Sequence, residues 1–393
     1  MNAFSKIDMA EVTRLTRAGK LAEALAMLQG NIGSHIAQAG SKSEASAFTR
    51  RIMRQAPTVG LAAAPISESA RQAGPGAADG LATDKAASLR GMVETMRVFR
   101  GRLPKMRSFS GLGEGVTSTT VPVPAGARFE ERTFSNEVGT RSYKVYVPSG
   151  YTGQPLPVVV MLHGCTQDPD DFAAGTRMNE VAEEQMFLVA YPHQPKSANV
   201  KKCWNWFNVG DQQRQGGEPS LIAGVALQVV EEFSADATRI YVAGLSAGGA
   251  AAAVLATTHP DLFAAVGVHS GLACGAARDV PSAFAAMSGT GAFPPRGAGP
   301  AVPTIVFHGD ADRTVHVVNA DQVAAQAMPE AALTEVELRR ETPDGMAYTR
   351  TVHFDDAGRE VLERWVLHGA GHAWCGGSLN GSYADPRGPD ASC

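Results

Sequence analysis

The sequence lacks several features that mark whole classes of proteins. It has no run approaching the roughly 18 apolar residues that a membrane span requires. Its 35 basic and 39 acidic residues give a net charge of −4, which offers no argument for nucleic-acid binding. Its five cysteines contain no Cys-x-x-Cys pair, which argues against zinc. We therefore expect no membrane span, no nucleic-acid partner and no metal site.

The N-terminus also lacks the apolar core of a secretory signal. Met1 to Ala10 is polar and carries Lys6 and Asp8. On this evidence we predict a cytoplasmic protein with free buried thiols, or an extracellular one if a leader has been removed or export is unconventional. A disulfide is the rival interpretation for the thiols, and the odd number of cysteines would leave at least one unpaired.

The length and composition suit one large globular domain with an appendage, or two domains. The chain has 393 residues, of which 44% are apolar and 19% charged. We predict an N-terminal helical region (1–54), an Ala/Gly/Pro-rich linker (55–83), a helix with a connection (84–125) and a main domain (126–393). We expect the helix in the third part to dock on the main domain; the alternative is a hook for a hydrophobic surface or a partner.

Strand and helix patterns alternate through the main domain. Two strands with exposed faces are predicted at 128–134 and 141–147. Strands covered on both faces are predicted at 156–162, 187–191, 239–243, 264–268 and 304–307. Helices are predicted at 172–185, 221–233 and 319–328, and a final set of strands at 334–340, 347–354 and 360–367. The alternation predicts an α/β fold with a mainly parallel sheet covered by helices on both faces.

A candidate nucleophile lies in the stretch Gly244–Gly248, which fits the pattern Gly-x-Ser-x-Gly. A predicted strand precedes it and an alanine-rich helix follows it, so Ser246 would lie on a sharp turn whose neighbours must be small. A serine hydroxyl is a poor nucleophile unless a base, oriented by a carboxylate, takes its proton. The alternative is a chance match to a short pattern.

The acid and the base should follow the serine in that order. Asp310 and Asp312 both come after a buried strand, and we favour Asp312 because it lies further out in the loop. Asp310 is expected to shape the turn, and His308 to support the loop by hydrogen bonding. His372 is the candidate base, because its glycine-rich loop leaves the side chain free to reach another loop.

Backbone N–H groups are expected to stabilise the developing oxyanion. Ala247, directly after the nucleophile, offers one, and Cys165, in the loop after the first buried strand, offers the other. We also predict that Trp204 or Trp206 walls the substrate site, because flat rings suit an ester polymer or an aromatic acid. The alternative is that these rings belong to the core.

Five ordered segments together resemble the polyhydroxybutyrate depolymerase family of esterases, whose relatives include feruloyl and acetylxylan esterases. They are His163–Gln167, Cys203–Phe207, Gly244–Gly249, His308–Val315 and Gly371–Trp374. The resemblance covers roughly two thirds of the chain, from Arg128 onward. It implies an α/β-hydrolase fold, a triad at Ser246, Asp312 and His372, and no cofactor. It also implies that Cys165 and Cys203 pair. The predicted helical N-terminal extension lies outside the resemblance and is added to this fold.

These observations predict a serine esterase that works through an acyl-enzyme. Its substrate is expected to be polyhydroxybutyrate-type polyester, its oligomers or short-chain esters. Alternatives within the hydrolases are a feruloyl or acetylxylan esterase and, more weakly, a peptidase. The alternative of another class is a non-catalytic protein that binds a polymer or a granule.

Overall fold

The computed structural model describes residues 121–294 and 300–393. The predicted helical region 1–54, the linker 55–83 and most of the segment 84–125 lie outside the described residues. This division of the chain therefore stays a prediction. Within the described residues no helix is long and apolar enough to cross a membrane.

A ten-stranded sheet forms the centre of the described part of the chain. In spatial order its strands are β1 (Arg128–Asn136), β2 (Gly139–Val147), β4 (Leu188–Pro192), β3 (Val158–Leu162), β5 (Ile240–Leu245), β6 (Ala265–His269), β7 (Thr304–Gly309), β10 (Glu360–Leu367), β9 (Ala347–Phe354) and β8 (Thr334–Glu341). The six strands from β4 to β10 in this order are parallel. Antiparallel strands flank them at both sides. The predicted mainly parallel sheet is confirmed.

Helices cover both faces of the sheet. They are α1 (Pro169–Thr176), α2 (Met178–Gln185), α3 (Gly217–Glu232), α4 (Ala247–Thr258), α5 (Val280–Met287) and α6 (Val318–Ala327). Apolar residues of α3, α4 and α6 pack with one face of the sheet in one cluster. Apolar residues of α1 and α2 pack with the other face in a second cluster. The central strands are continuous apolar runs because both of their faces are buried in this way.

The helix predicted at 172–185 is two helices, and this prediction was wrong in detail. Arg177 separates α1 from α2, and its backbone has a φ of 59°. Its N–H still bonds to the Ala173 carbonyl, so α1 ends in a left-handed cap. Such caps usually carry glycine or asparagine. An arginine at this position therefore gives no stop signal in the sequence.

The topology brings the loops that follow β3, β5, β6, β7 and β10 to one edge of the sheet, because the carboxyl ends of parallel strands lie together. The helix α4 approaches this edge closely. A Cβ atom on Gly248 would clash with the Leu162 carbonyl oxygen at the end of β3. Glycine is therefore required there, as the sequence pattern predicts.

Candidate active site

Ser246 forms the turn between β5 and α4. Its backbone has φ 59° and ψ −119°, a conformation that is rare for a residue with a Cβ atom. Its N–H donates to the His269 carbonyl at 2.9 Å, which fixes the turn against the end of β6. Strained backbone of this kind persists where the surrounding structure enforces it, and it is frequent at functional sites.

Asp312 and His372 form a close pair in the loops after β7 and β10. The distance between Asp312 Oδ2 and His372 Nδ1 is 2.6 Å. The other oxygen, Oδ1, accepts the N–H groups of Thr314 at 2.8 Å and Val315 at 2.9 Å. Burial alone would raise the pKa of Asp312. The hydrogen bond from His372, the charge of His372 and the two backbone N–H groups lower it by more, so the pKa of Asp312 is lowered overall. An ionised carboxylate at Nδ1 assigns the proton to Nδ1, which leaves Nε2 of His372 as an acceptor.

Asp310 and His308 support the same loops. Asp310 accepts the Gly369 N–H at 2.7 Å and lies 2.8 Å from Nδ1 of His368. It therefore braces the turn, as predicted. His308 Nε2 lies 2.8 Å from the Val315 carbonyl oxygen, which matches the predicted supporting role. Burial lowers the pKa of His308, so it stays neutral beside the acid.

Contacts between loops connect the Asp312–His372 pair to the Ser246 turn. The Ala311 N–H donates to the Ala370 carbonyl at 3.1 Å, which joins the loops after β7 and β10. Two residues beyond His372, the Trp374 ring stacks on His269 at 5.2 Å between ring centroids. His269 also holds the Ser246 N–H. The three predicted triad residues therefore follow three strands that end at the same edge.

The loop after β3 lies directly against Ser246. A Cβ atom on Gly164 would be 3.6 Å from Ser246 Cβ. Gly164 N–H donates to Gln167 Oε1 at 2.9 Å, and Thr166 N–H donates to the Lys201 carbonyl at 2.6 Å. Within residues 121–294 and 300–393, the Cys165 N–H between them has no acceptor. Ala247 is the first residue of α4, so its N–H has no partner within the helix.

A disulfide and a buried tryptophan hold this loop. Cys165 is bonded to Cys203, the pairing that the resemblance implies. Trp204 is 0% exposed, and its indole N–H donates to the His163 carbonyl at 3.1 Å. A ring without exposed surface cannot wall a cleft, so the prediction was wrong for Trp204, which supports the loop from the core. Trp206 is 6% exposed, and its role at the site stays a prediction.

Sequence reasoning missed Glu218, which organises the segment around Trp204. This buried carboxylate accepts the backbone N–H of Asn205 at 2.6 Å and its side-chain amide at 2.7 Å. It also accepts the side-chain amide of Gln194, whose backbone N–H donates to His163 Nε2 at 3.1 Å. Burial raises the pKa of Glu218 to about 7. A Gly-Glu-Pro helix start is too common a pattern to indicate such a role.

Sequence reasoning also missed Tyr383. Its ring lies edge-on to His372, with centroids 6.4 Å apart, and its hydroxyl is 3.5 Å from Thr166 Oγ1. The side chain is 46% exposed. Tyr383 follows a glycine- and serine-rich segment without periodicity, so no pattern in the sequence places it at this edge.

Comparison with known proteins assigns the family. Residues 141–341 match the family model described as Esterase PHB depolymerase, which covers half of the chain. The chain belongs to this family. Members known as esterases and depolymerases are among its relatives, and the family resemblance drawn from the sequence is confirmed.

Three relatives of this PHB depolymerase family member illustrate its range. It is 31% identical over 251 residues to poly(3-hydroxyalkanoate) depolymerase C of Paucimonas lemoignei, covering 61% of this chain and 60% of the relative. It is 34% identical over 145 residues to a probable acetylxylan esterase A of Neosartorya fischeri, covering 36% of this chain and 37% of the relative. It is 34% identical over 140 residues to feruloyl esterase B of Neurospora crassa, covering 35% of this chain and 46% of the relative. The chain thus spans less than two thirds of each relative's length.

A solved structure shows the same fold. The acetyl xylan esterase from Aspergillus awamori superposes with a TM-score of 0.50 at 20% identity, covering 62% of this chain and 94% of that one. The α/β-hydrolase fold implied by the family resemblance is confirmed.

Removal of the disulfide from this PHB depolymerase family member should lower both stability and turnover. The double variant Cys165→Ala/Cys203→Ala is expected to lose about 3–4 kcal/mol of unfolding free energy, because the bond closes a loop of 38 residues. Turnover of esters should also fall, because Cys165 is the predicted oxyanion donor and the loop that carries it would lose its bond to Cys203. Urea denaturation and initial rates measure the two effects. Cys274→Ala, which removes a free thiol, is the control. A double variant with unchanged rate and stability would contradict the prediction.

Buried histidines should make the fold sensitive to acid. Burial lowers the pKa of His163 and His259 to about 4 and that of His269 to about 3, from 6.5. Each stays neutral when folded but is protonated when unfolded, so stability present above pH 6.5 is lost as the pH falls towards 4. At pH 4.5 each of them lowers the unfolding free energy by on the order of 2–3 kcal/mol relative to neutral pH. The raised pKa of Glu218 has the opposite effect on the unfolding free energy. It offsets the loss caused by about one of the three histidines.

Urea denaturation at pH 4.5, 5.5 and 6.5 measures this effect. The unfolding free energy should rise with pH, and His259→Gln should make the rise smaller. His316→Gln, at an exposed position, is the matched control. A free energy that is constant over this range would show that the buried histidines do not govern acid stability.

Proposed function

We propose that the protein is a serine carboxylic ester hydrolase that acts on polyhydroxybutyrate-type polyester, its oligomers and short-chain esters. The observation that carries the proposal is the 2.6 Å hydrogen bond between Asp312 and His372, at the sheet edge where the strained turn of Ser246 lies. Membership of the PHB depolymerase family and the depolymerase of Paucimonas lemoignei support the polyester substrate.

In the proposed acylation step, His372 Nε2 takes the proton of Ser246 Oγ as this oxygen attacks the ester carbonyl carbon. The N–H groups of Cys165 and Ala247 donate to the oxyanion of the tetrahedral intermediate. The intermediate collapses, the bond to the alcohol oxygen breaks, and the alcohol leaves with the proton from His372. Asp312 stays ionised and stabilises the imidazolium that forms in between.

In the proposed deacylation step, water replaces the alcohol. His372 takes one proton of the water, whose oxygen attacks the acyl carbon of the ester formed with Ser246. The same two N–H groups stabilise the second oxyanion. The acid leaves, and the proton returns to Ser246 Oγ, so the enzyme is regenerated without any cofactor.

A feruloyl or acetylxylan esterase is the second candidate function. It is favoured by the 34% identity to feruloyl esterase B of Neurospora crassa and to the probable acetylxylan esterase A of Neosartorya fischeri. We further propose that the protein works in an oxidising compartment rather than in the cytoplasm, because it holds a structural disulfide.

Covalent labelling and a substrate panel test the proposal together. A fluorophosphonate probe should give one adduct, which peptide mass mapping should place on Ser246. p-Nitrophenyl butyrate and a hydroxybutyrate trimer should be hydrolysed faster than methyl ferulate and acetylated xylan. Hydrolysis of methyl ferulate or acetylated xylan alone would replace the polyester assignment with the second candidate. A protein with neither adduct nor turnover would be a non-catalytic binding protein, and the proposal would be overturned.

A further inference from the structure

The aromatic wall that the sequence placed at Trp204 or Trp206 requires a ring with exposed surface. Trp204 has none and Trp206 has 6%. Tyr383 is 46% exposed and lies next to His372. We infer that Tyr383 is the aromatic residue that contacts the substrate and sets which esters this site prefers, an inference that rests on the proposed function.

The position of the ring supports this assignment. The centroids of the Tyr383 and His372 rings are 6.4 Å apart with the ring planes at 80°, and the Tyr383 hydroxyl lies 3.5 Å from Thr166 Oγ1. Thr166 directly follows Cys165, the proposed oxyanion donor. The ring therefore bridges the loop that would bind the carbonyl oxygen and the loop that carries the base. We therefore expect a substrate group next to the ester to lie beside this ring when the carbonyl is engaged.

The backbone of Tyr383 is held in an unfavourable conformation. Its φ is 54°, in the left-handed region that a residue with a Cβ atom seldom adopts. The Tyr383 carbonyl accepts the Trp374 N–H at 2.7 Å, within a short parallel pairing of β11 (Trp374–Cys375) and β12 (Ala384–Asp385). This pairing ties the segment to the chain two residues beyond His372. The conformation is therefore imposed by the site rather than by the local sequence.

A second set of bonds connects the Tyr383 segment to the oxyanion loop. The Ser382 N–H donates to Asp171 Oδ1 at 2.8 Å, and its carbonyl accepts Gln167 Nε2 at 3.0 Å. Gln167 is 1% exposed, and its Oε1 accepts the Gly164 N–H. One buried side chain thus positions both the loop beside Ser246 and the segment that carries the ring.

A purely structural role would give a different result from the one we infer. The ring is half exposed, and the 3.5 Å separation from Thr166 is too long for a strong hydrogen bond. Truncation of the side chain should therefore leave no cavity and little loss of stability. In the inferred role, the face of the ring offers an apolar surface to a methyl or aryl group of the substrate.

Kinetics with substrates of two sizes test the inference. For Tyr383→Ala we expect kcat/KM for a hydroxybutyrate trimer to fall about tenfold, mostly through KM, as for loss of an aromatic contact. kcat/KM for p-nitrophenyl acetate should change by less than about threefold, because that acyl group is too small to cover the ring. Tyr383→Phe should retain the trimer activity, because it keeps the ring face. Leu379→Ala, 50% exposed in the same segment, is the matched control and should change neither substrate.

Binding and labelling separate this inference from the proposed function. Titration calorimetry should show that Ser246→Ala/Tyr383→Ala binds the trimer about tenfold more weakly than Ser246→Ala does. This comparison holds whether or not the protein turns over esters. The fluorophosphonate should label Ser246 equally fast in wild type and Tyr383→Ala. Equal binding by the two Ser246→Ala proteins, or an equal loss on both substrates, would overturn the inference.

Discussion

Ser246→Ala is expected to lower kcat for p-nitrophenyl butyrate by on the order of 10⁴- to 10⁶-fold. The substitution removes the only atom that could form the acyl bond in the proposed mechanism. It should leave the fold intact, because the backbone turn is held by the N–H bond to the His269 carbonyl and by close glycine contacts. Burst kinetics should show no acylation phase, and circular dichroism should match that of wild type.

Ser270→Ala is the matched control, because Ser270, like Ser246, directly follows a strand at this edge and has a φ of 49°. Its oxygen lies 3.2 Å from His269 Nδ1, so Ser270 is itself in contact with a histidine. His269 Nε2 accepts the Cys375 N–H at 3.1 Å, which assigns the imidazole proton to Nδ1. Burial lowers the pKa of His269 to about 3, so this imidazole is a poor base. Full turnover by Ser246→Ala with loss in Ser270→Ala would reverse the assignment.

Asp312→Asn is expected to lower kcat by about 10³- to 10⁴-fold. An amide in place of the carboxylate no longer holds the proton on His372 Nδ1 and no longer stabilises the imidazolium. Initial rates at saturating p-nitrophenyl butyrate measure the loss. Labelling of Ser246 by the fluorophosphonate should slow in parallel, because that reaction needs the same base.

Asp310→Asn is the control that this loop itself provides. Asp310 differs from Asp312 by two positions, but its bonds go to His368 and Gly369. We expect its rate to fall less than about tenfold, because these bonds shape the loop without contacting His372. A larger loss for Asp310→Asn than for Asp312→Asn would show that Asp310, and not Asp312, is the acid of the triad.

The buried strands could be predicted from the sequence because each is an unbroken apolar run, a pattern that burial on both faces produces. The candidate nucleophile could be located because the turn around Ser246 limits its neighbours to small residues. The acid and the base could then be sought after it, because the pattern gives the order serine, acid, histidine. Exposure could not be predicted. Trp204 and Trp206 are both almost completely buried. For Trp204 this depends on contacts such as the bond from its indole N–H to the His163 carbonyl, 41 positions away in the chain.

Tyr383 shows why part of the site had no signal in the sequence. It reaches Thr166 across 217 positions of the chain. Its placement depends on two-residue strands and on Gln167, and neither has a periodic pattern. The end of α1 at Arg177 had no signal in the sequence for a related reason. Where a residue other than glycine adopts the left-handed conformation, its surroundings and not its own type determine that conformation.

The two outermost strands of the sheet have a consequence for behaviour at high concentration. β8 forms one border, and five of its eight residues are charged. β1 forms the other, and four of its nine residues are charged. Free strand borders can pair with a neighbouring molecule and start fibres, and charged side chains oppose that pairing. Within the part of the chain that the structure describes, both borders of the sheet therefore resist edge-to-edge aggregation, which matters wherever molecules are crowded together.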